Sequence, residues 1–249
     1  MCVGGKICGA VFPPDGMYVI LYAKQTGLAP SDPWEREKIM LYILLPILLG
    51  YLLGSSSMSY YISRMKKIDL RSGGSGNLGA SNAMLMMGWP SAVAVTIHDL
   101  GKAALAVILA RMLFPAAPLA GALAGVAAVF GHVFPFYLKF KGGKGFAAYL
   151  GMTVALNWKF AIALLIAVVV ITVVTDYIVM ATTTTITVVP VYMGIATGSL
   201  LFALVLLCGT ALIFWKHREN YVRLVQGTEI GLRSGASGKH RAKKPDDKE

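Results

Sequence analysis

The residues best suited to chemistry fall in four short polar clusters set among long apolar runs. The first is Gly74-Ser-Gly-Asn-Leu-Gly-Ala-Ser-Asn82. Glycines such as Gly76 let backbone N–H groups approach an anion closely, and Ser75, Asn77, Ser81 and Asn82 add neutral donors. By residue type alone the same run also reads as a flexible connector. The second cluster is Lys139-Phe-Lys-Gly-Gly-Lys-Gly145, where Lys141 and Lys144 alternate with Gly142, Gly143 and Gly145. That mixture suits a phosphate cradle, or lysines that touch lipid headgroups. It is not a nucleotide-hydrolysing P-loop. Leu138 stands where the first glycine is needed, and Gly145 rather than Ser or Thr follows the lysine.

The third cluster is Asp99 with Lys102, three residues apart on one helical face inside an apolar segment. Each charge at the centre of a bilayer costs about 2.5–3.5 kcal/mol on insertion scales. The pair must therefore neutralise itself or line a polar cavity. His98 and His132 read as satisfied interior histidines, His132 being nearer the lysine cluster. The fourth cluster is His217-Arg-Glu-Asn220, preceded by Lys216. A histidine beside cations can meet an anionic substrate as donor or base; the same residues also suit the basic end of a helix.

The elements that carry these clusters follow from composition. Apolar residues make up 56% of the 249 and charged residues only 14%, against about a quarter in soluble domains. Lipid is the solvent that tolerates so little charge, and a span needs about 20 mostly apolar residues. Spans are predicted over residues 39–62, 89–113, on to about Tyr137, 178–196, and a last one ending near Trp215. The long run Phe146–Val174 is divided into two short spans at Asn157-Trp158-Lys159. The expected fold is therefore all-α, a polytopic membrane bundle of about seven transmembrane helices, occupying residues 39–224. Residues 1–38 read as a poorly structured extension and 225–249 as a basic, disordered tail. Gly50 and Gly54 form a small-residue stripe suited to close helix packing. Thr182–Thr185 can bond their own helix backbone.

Net charge is +11, and its placement sets orientation rather than pointing to nucleic acid. Arg64, Lys66, Lys67 and Arg71 follow the first span. Three lysines lie in 139–144, and nine basic residues lie from Lys216 onward. With seven crossings all three regions share one face, which the positive-inside rule makes cytoplasmic. The N-terminus is then outside, and Arg111 and Lys159 lie on the far side. Cys2, Cys8 and Cys208 show no metal spacing and no disulfide framework.

The order of these segments resembles the acyl-phosphate-dependent glycerol-3-phosphate acyltransferases of bacterial membranes, the PlsY type. The resemblance covers about Leu48–Glu229. It runs through Leu53-Gly-Ser55, Asp69-Leu-Arg71, the Gly74–Asn82 run, Asp99-Leu-Gly-Lys102 and Gly131-His-Val-Phe-Pro135. It continues through Phe140-Lys-Gly-Gly-Lys-Gly145, His217-Arg-Glu-Asn220, Arg223-Leu224 and Gly227-Thr-Glu229. It implies acyl phosphate as donor, glycerol 3-phosphate as acceptor and lysophosphatidic acid as product, with no metal, coenzyme A or other cofactor. An acyl-phosphate-producing soluble enzyme is the implied partner besides the bilayer. Carried over, the anion-binding loop maps onto Ser75, Gly76, Asn77, Ser81 and Asn82. The phosphate-binding loop maps onto Lys141, Gly142, Gly143, Lys144 and Gly145, and the active-site histidine onto His217, beside Glu219 and Asn220. Ser75, Lys144 and His217 are the expected catalytic residues. For the proton of the attacking hydroxyl, His217, Ser75 and a substrate phosphate remain open.

The sequence departs from the family pattern at Leu85, where an arginine is usual, and at Ser81 and Ala103, where Thr and Gly are usual. Arg71 is a substitute for the missing guanidinium. Two other readings stand beside the enzyme. One is a transporter of an anionic solute lined by Asp99 and Lys102; the other is a lipid-binding relative whose site is altered at Leu85. An acyltransferase of the His-x4-Asp kind is a third and weaker reading, because no histidine here has an aspartate five positions later.

Overall fold

A computed structural model describes residues 33–233, and all regular structure among them is helical. The helices are α1 (Pro33–Ser55), α2 (Met58–Met65), α3 (Ala80–Met87), α4 (Trp89–Leu113), α5 (Ala120–Val133), α6 (Phe146–Leu156), α7 (Trp158–Thr175), α8 (Ile178–Thr197), α9 (Leu200–Lys216) and α10 (Arg218–Val225). Cys2, Cys8 and most of the expected 1–38 extension and 225–249 tail lie outside the described residues. Within them, helix begins at Pro33 rather than after residue 38, and the chain past Val225 turns back onto the bundle as far as Arg233.

Among the described residues, five helices are long and apolar enough to cross a membrane, and a sixth is added if α9 and α10, bent by 49°, count as one span. The expected break in Phe146–Val174 is at Asn157. This residue ends α6 and caps α7, its side chain accepting from Phe160 N at 3.1 Å. The resulting α6, eleven residues, is about 16 Å long at 1.5 Å per residue. That is shorter than the roughly 30 Å of a hydrocarbon core.

In lipid, helices gain little by hiding apolar surface from one another, so close backbone approach has to hold them. The interior is accordingly made of small residues such as Ala103, Ala106, Ala124 and Ala128, while Ile97, Ile108, Val169 and Ile195 face outward. The small-residue stripe of α1 lies on α5. A Cβ added at Gly50 would stand 2.0 Å from Ala124 O, and one at Gly54 2.1 Å from Ala128 O. Of the Thr182–Thr185 cluster, Thr182 Oγ1 donates to Ile178 O at 2.9 Å, Thr183 Oγ1 to Val179 O at 2.8 Å and Thr184 Oγ1 to Met180 O at 3.1 Å, whereas the buried Thr185 Oγ1 makes no such bond.

The bundle has two distinguishable ends. At one, Arg111 of α4 donates to Ala155 O of α6 at 2.9 Å, and Tyr42 meets Phe114. At the other lie the segments 66–79 and 134–145, the α7–α8 turn at Asp176 and the chain after His217. Arg233 N donates to Asp176 Oδ1 at 3.0 Å there, and Leu232 N to Asp176 O at 2.7 Å.

Candidate active site

Three segments converge at that second end. The first, between α2 and α3, is shaped by Asn82. This residue is buried in α3, and its amide turns back into the loop. Its Oδ1 accepts from Ser75 N at 2.8 Å, and its Nδ2 donates to Leu70 O and Asn77 O at 2.7 and 2.9 Å. Gly74 sits at φ +59°, and a Cβ there would lie 2.1 Å from Asn82 Oδ1. Only glycine satisfies both the left-handed backbone and the space. Ser75, Gly76 and Ser81 are left exposed on the outer face of this loop, with Asn77 half-buried. No side chain caps α3.

The second segment is pressed onto the end of α5. Gly142 N donates to Val133 O at 3.0 Å and Gly143 N to His132 O at 3.1 Å. Side chains are excluded there: a Cβ at Gly142 would stand 2.0 Å from His132 O, and one at Gly143 2.1 Å from His132 Nε2. Gly145, at φ +92°, starts α6. Lys141 is exposed, whereas Lys144 is directed inward. Arg71 joins the two loops, its Nη2 donating to Lys141 O at 2.8 Å and Leu138 O at 3.4 Å.

The third segment is the α9–α10 corner. His217 is buried there, and its Nδ1 lies 2.9 Å from Ile213 O. A carbonyl can only accept, so Nδ1 carries the proton and Nε2 presents a lone pair. Burial, more than the neighbouring Lys144, pushes His217 down to about 4, so it is neutral near pH 7. Lys144 Nζ donates to Asn220 Oδ1. Asn220 Nδ2 donates to Glu229 Oε1 at 2.5 Å, and Glu229 Oε2 pairs with Arg223 Nε at 2.7 Å. Burial and then Arg223 lower Lys144 to about 8.

These bonds gather a glycine-rich loop, a lysine loop and a neutral histidine at one end of an apolar bundle. Residues 44–227 match the family model for glycerol-3-phosphate acyltransferase. The chain belongs to this family. It is 38% identical over 202 residues to a glycerol-3-phosphate acyltransferase of Synechococcus sp. (strain CC9902), covering 81% of this chain and all of the relative. It is 36% identical over 192 residues to one of Parasynechococcus marenigrum, covering 77% and 90%. The crystal structure of PlsY (YgiH), an integral membrane glycerol 3-phosphate acyltransferase in its glycerol 3-phosphate form, matches with a TM-score of 0.72. That match has 30% identity and covers 76% of this chain and 95% of that one. The lysophosphatidic acid form matches at 0.70 and 29%.

In this glycerol-3-phosphate acyltransferase, the predicted site residues divide by location. Lys144, Asn220 and His217 stand together; Lys141 is tied in through its carbonyl. Asn82 spends its polar atoms on the loop that carries Ser75 and Asn77. Glu219 is turned to solvent beside Arg218, at 3.7 Å. The carboxylate tied to the lysine through Asn220 is Glu229, which the sequence pattern placed among the matched segments without a role. Its signal was Gly227-Thr-Glu229, and Gly227 at φ +68° lets the chain fold back after α10. Leu85 is buried in α3, while Arg71 supplies a guanidinium between the two loops. Asp99 and Lys102 form a closed cluster. Lys102 Nζ lies 2.8 Å from Asp99 Oδ1, 2.7 Å from Ser56 O and 2.9 Å from His132 Nδ1.

Proposed function

We propose that this family member transfers a fatty acyl group from acyl phosphate to the sn-1 hydroxyl of glycerol 3-phosphate, giving lysophosphatidic acid for phospholipid synthesis. The observation that carries it is the Lys144–Asn220–Glu229–Arg223 chain beside His217, joined through Arg71 to the Ser75 loop. A phosphate needs charge and many donors, and an acyl chain needs an apolar wall; here the two meet at the end of a membrane bundle.

An acyl phosphate is a mixed anhydride with a good leaving group, so positioning and charge stabilisation supply most of the catalysis. Lys144 holds the acceptor's phosphate, and the exposed hydroxyls of Ser75 and Ser81 on the glycine-rich loop meet the donor phosphate. The N–H groups of Gly76, Gly142 and Gly143 are taken by Gly73 O, Val133 O and His132 O and serve to shape the two loops. The acyl chain lies between helices near Met84 and Met86. The hydroxyl oxygen attacks the acyl carbon, the bond from that carbon to the phosphate oxygen breaks, and inorganic phosphate leaves. His217 Nε2 accepts the hydrogen bond of the attacking hydroxyl and aims it. For the departing proton, a group titrating at about 4 competes with a phosphate whose second pKa is about 6. The phosphate oxygen is the stronger acceptor and takes it.

We further read α1 and α4–α9 as seven passes, because turns between them alternate between the two ends. The positive-inside distribution supports a cytoplasmic site, a C-terminus inside, an N-terminus outside and residence in the bacterial cytoplasmic membrane. A soluble enzyme producing acyl phosphate would deliver donor to that face. The test is to supply the purified protein with glycerol 3-phosphate and, separately, acyl phosphate, acyl-CoA or acyl carrier protein. Lysophosphatidic acid is expected from acyl phosphate alone; product only from a thioester donor, or none at all, overturns the reading.

A further inference from the structure

We propose that His132, oriented by Lys102 and Asp99, is a positioning residue that sets the height of the lysine loop. The proposal rests on the acyltransferase reading above. Lysine has three donors and no acceptor, and Lys102 Nζ has three polar atoms in reach: Asp99 Oδ1, Ser56 O and His132 Nδ1. His132 Nδ1 is gripped from two sides, 2.9 Å from the Lys102 ammonium and 3.3 Å from Asp99 Oδ1, so the pair fixes the orientation of the ring and turns Nε2 away from itself. Nε2 is the atom against which Gly143 is seated, close enough that no Cβ fits between them. The two backbone bonds of Gly142 and Gly143 to Val133 and His132 hold the loop down on that ring. Lys144 follows directly, so a tilt of the imidazole moves the ammonium that meets the phosphate.

The same cluster reaches the other loop. Ser56, whose carbonyl Lys102 binds, lies at the break between α1 and α2, and its Oγ is 3.0 Å from His98 Nε2. Next to it, Ser57 Oγ is 3.1 Å from Ser59 Oγ, and Ser59 donates to Leu78 O at 2.8 Å within the glycine-rich segment. One buried cluster thus spaces the two loops relative to each other. A misplacement of about 1 Å costs on the order of a hundredfold in rate when geometry carries the catalysis, which is a use for charges that are expensive to bury.

The experiment compares His132→Leu with His132→Asn. Asparagine keeps a polar group where Nδ1 meets Lys102 and Asp99; leucine fills space and offers nothing. Each variant is assayed for lysophosphatidic acid formation and for amide exchange, with thermal melting in detergent measured alongside. We expect His132→Leu to lose at least about tenfold in kcat/KM, with faster exchange confined to residues 138–146, and His132→Asn to stay near wild type in both. Equal, wild-type behaviour of the two overturns the proposal. So does a leucine variant whose exchange rises throughout the bundle in step with its melting. Should His132→Leu fail to fold, Gly143→Ala, which presses on the ring without removing any partner of Lys102, must show the same local exchange; unchanged exchange overturns the proposal. If wild-type protein makes no lysophosphatidic acid, the acyltransferase reading fails, and exchange alone decides the role of His132.

Discussion

At the scale of single residues, the proposed site sets a charged lysine beside a neutral histidine. Lys144 is charged below about pH 8 and His217 is neutral above about pH 4, so the working forms coexist between those limits. If Lys144 holds the phosphate as a cation, as proposed, kcat/KM should fall as pH rises through about 8. Lys144→Arg keeps its charge to much higher pH, so its alkaline fall should move upward even if its rate is lower; a pH–rate profile of the two proteins checks this. Lys144→Met should lose about a hundredfold or more in kcat/KM, the scale seen when one charge-stabilising donor is removed. His217 separates two mechanisms. If it only accepts the hydroxyl's hydrogen bond, His217→Gln keeps an acceptor and should exceed His217→Ala by at least about tenfold. Equal rates for the two variants would make His217 the base.

At the scale of elements, short polar segments are held by side chains whose polar atoms bond other parts of the chain. Asn82 holds the first loop, and Gly74 gives it room. Gly74→Ala must place a Cβ on Asn82 Oδ1 in a left-handed backbone, a strain of about 1–3 kcal/mol borne by the loop alone. Activity should drop sharply while helicity by circular dichroism and the melting temperature hold. Glu229 does the same for the α9–α10 corner, since it is bound by Asn220 and Arg223 together. Glu229→Gln leaves Arg223 with no anion at a largely buried carboxylate position and loosens the Asn220 that orients Lys144. KM for glycerol 3-phosphate should rise about tenfold, the scale of losing a hydrogen bond to a charged group, with circular dichroism unchanged. Steady-state kinetics at varied acceptor concentration measures it.

At the scale of the whole molecule, function requires every polar segment at one end of a bundle whose sides face lipid. The hydrogen bonds Arg71–Lys141, Lys144–Asn220 and Arg233–Asp176 tie together parts of the chain far apart in sequence, whereas Arg111–Ala155 closes the opposite end. In right-side-out and inverted vesicles, and in a background lacking the native cysteines, single cysteines at Lys141 and Gln226 should react with an impermeant maleimide from the same side. A cysteine at Lys159 should react from the other. Opposite labelling of 141 and 226 would separate Lys144 from His217 and dissolve the site.

The sequence by itself determined whatever depends on local composition and spacing. Scarce charge required lipid, Asn157-Trp158-Lys159 interrupted the run Phe146–Val174, and glycines marked the loops that approach other backbone. The ordered segments from Leu53 to Glu229 pointed to the family. Only the tertiary structure decided which side chains meet. It paired Lys144 with Asn220 and Glu229 while turning Glu219 to solvent, and it made His132 the third partner of Asp99 and Lys102. It used Asn82 to hold the glycine-rich loop and sent Arg71 across to the backbone of the lysine loop. The physical reason is that a local pattern sets a residue's face on its own helix. Contacts between residues dozens of positions apart follow from how closely helices pack and where each ends, and small interior residues such as Gly50 and Gly54 set that separation.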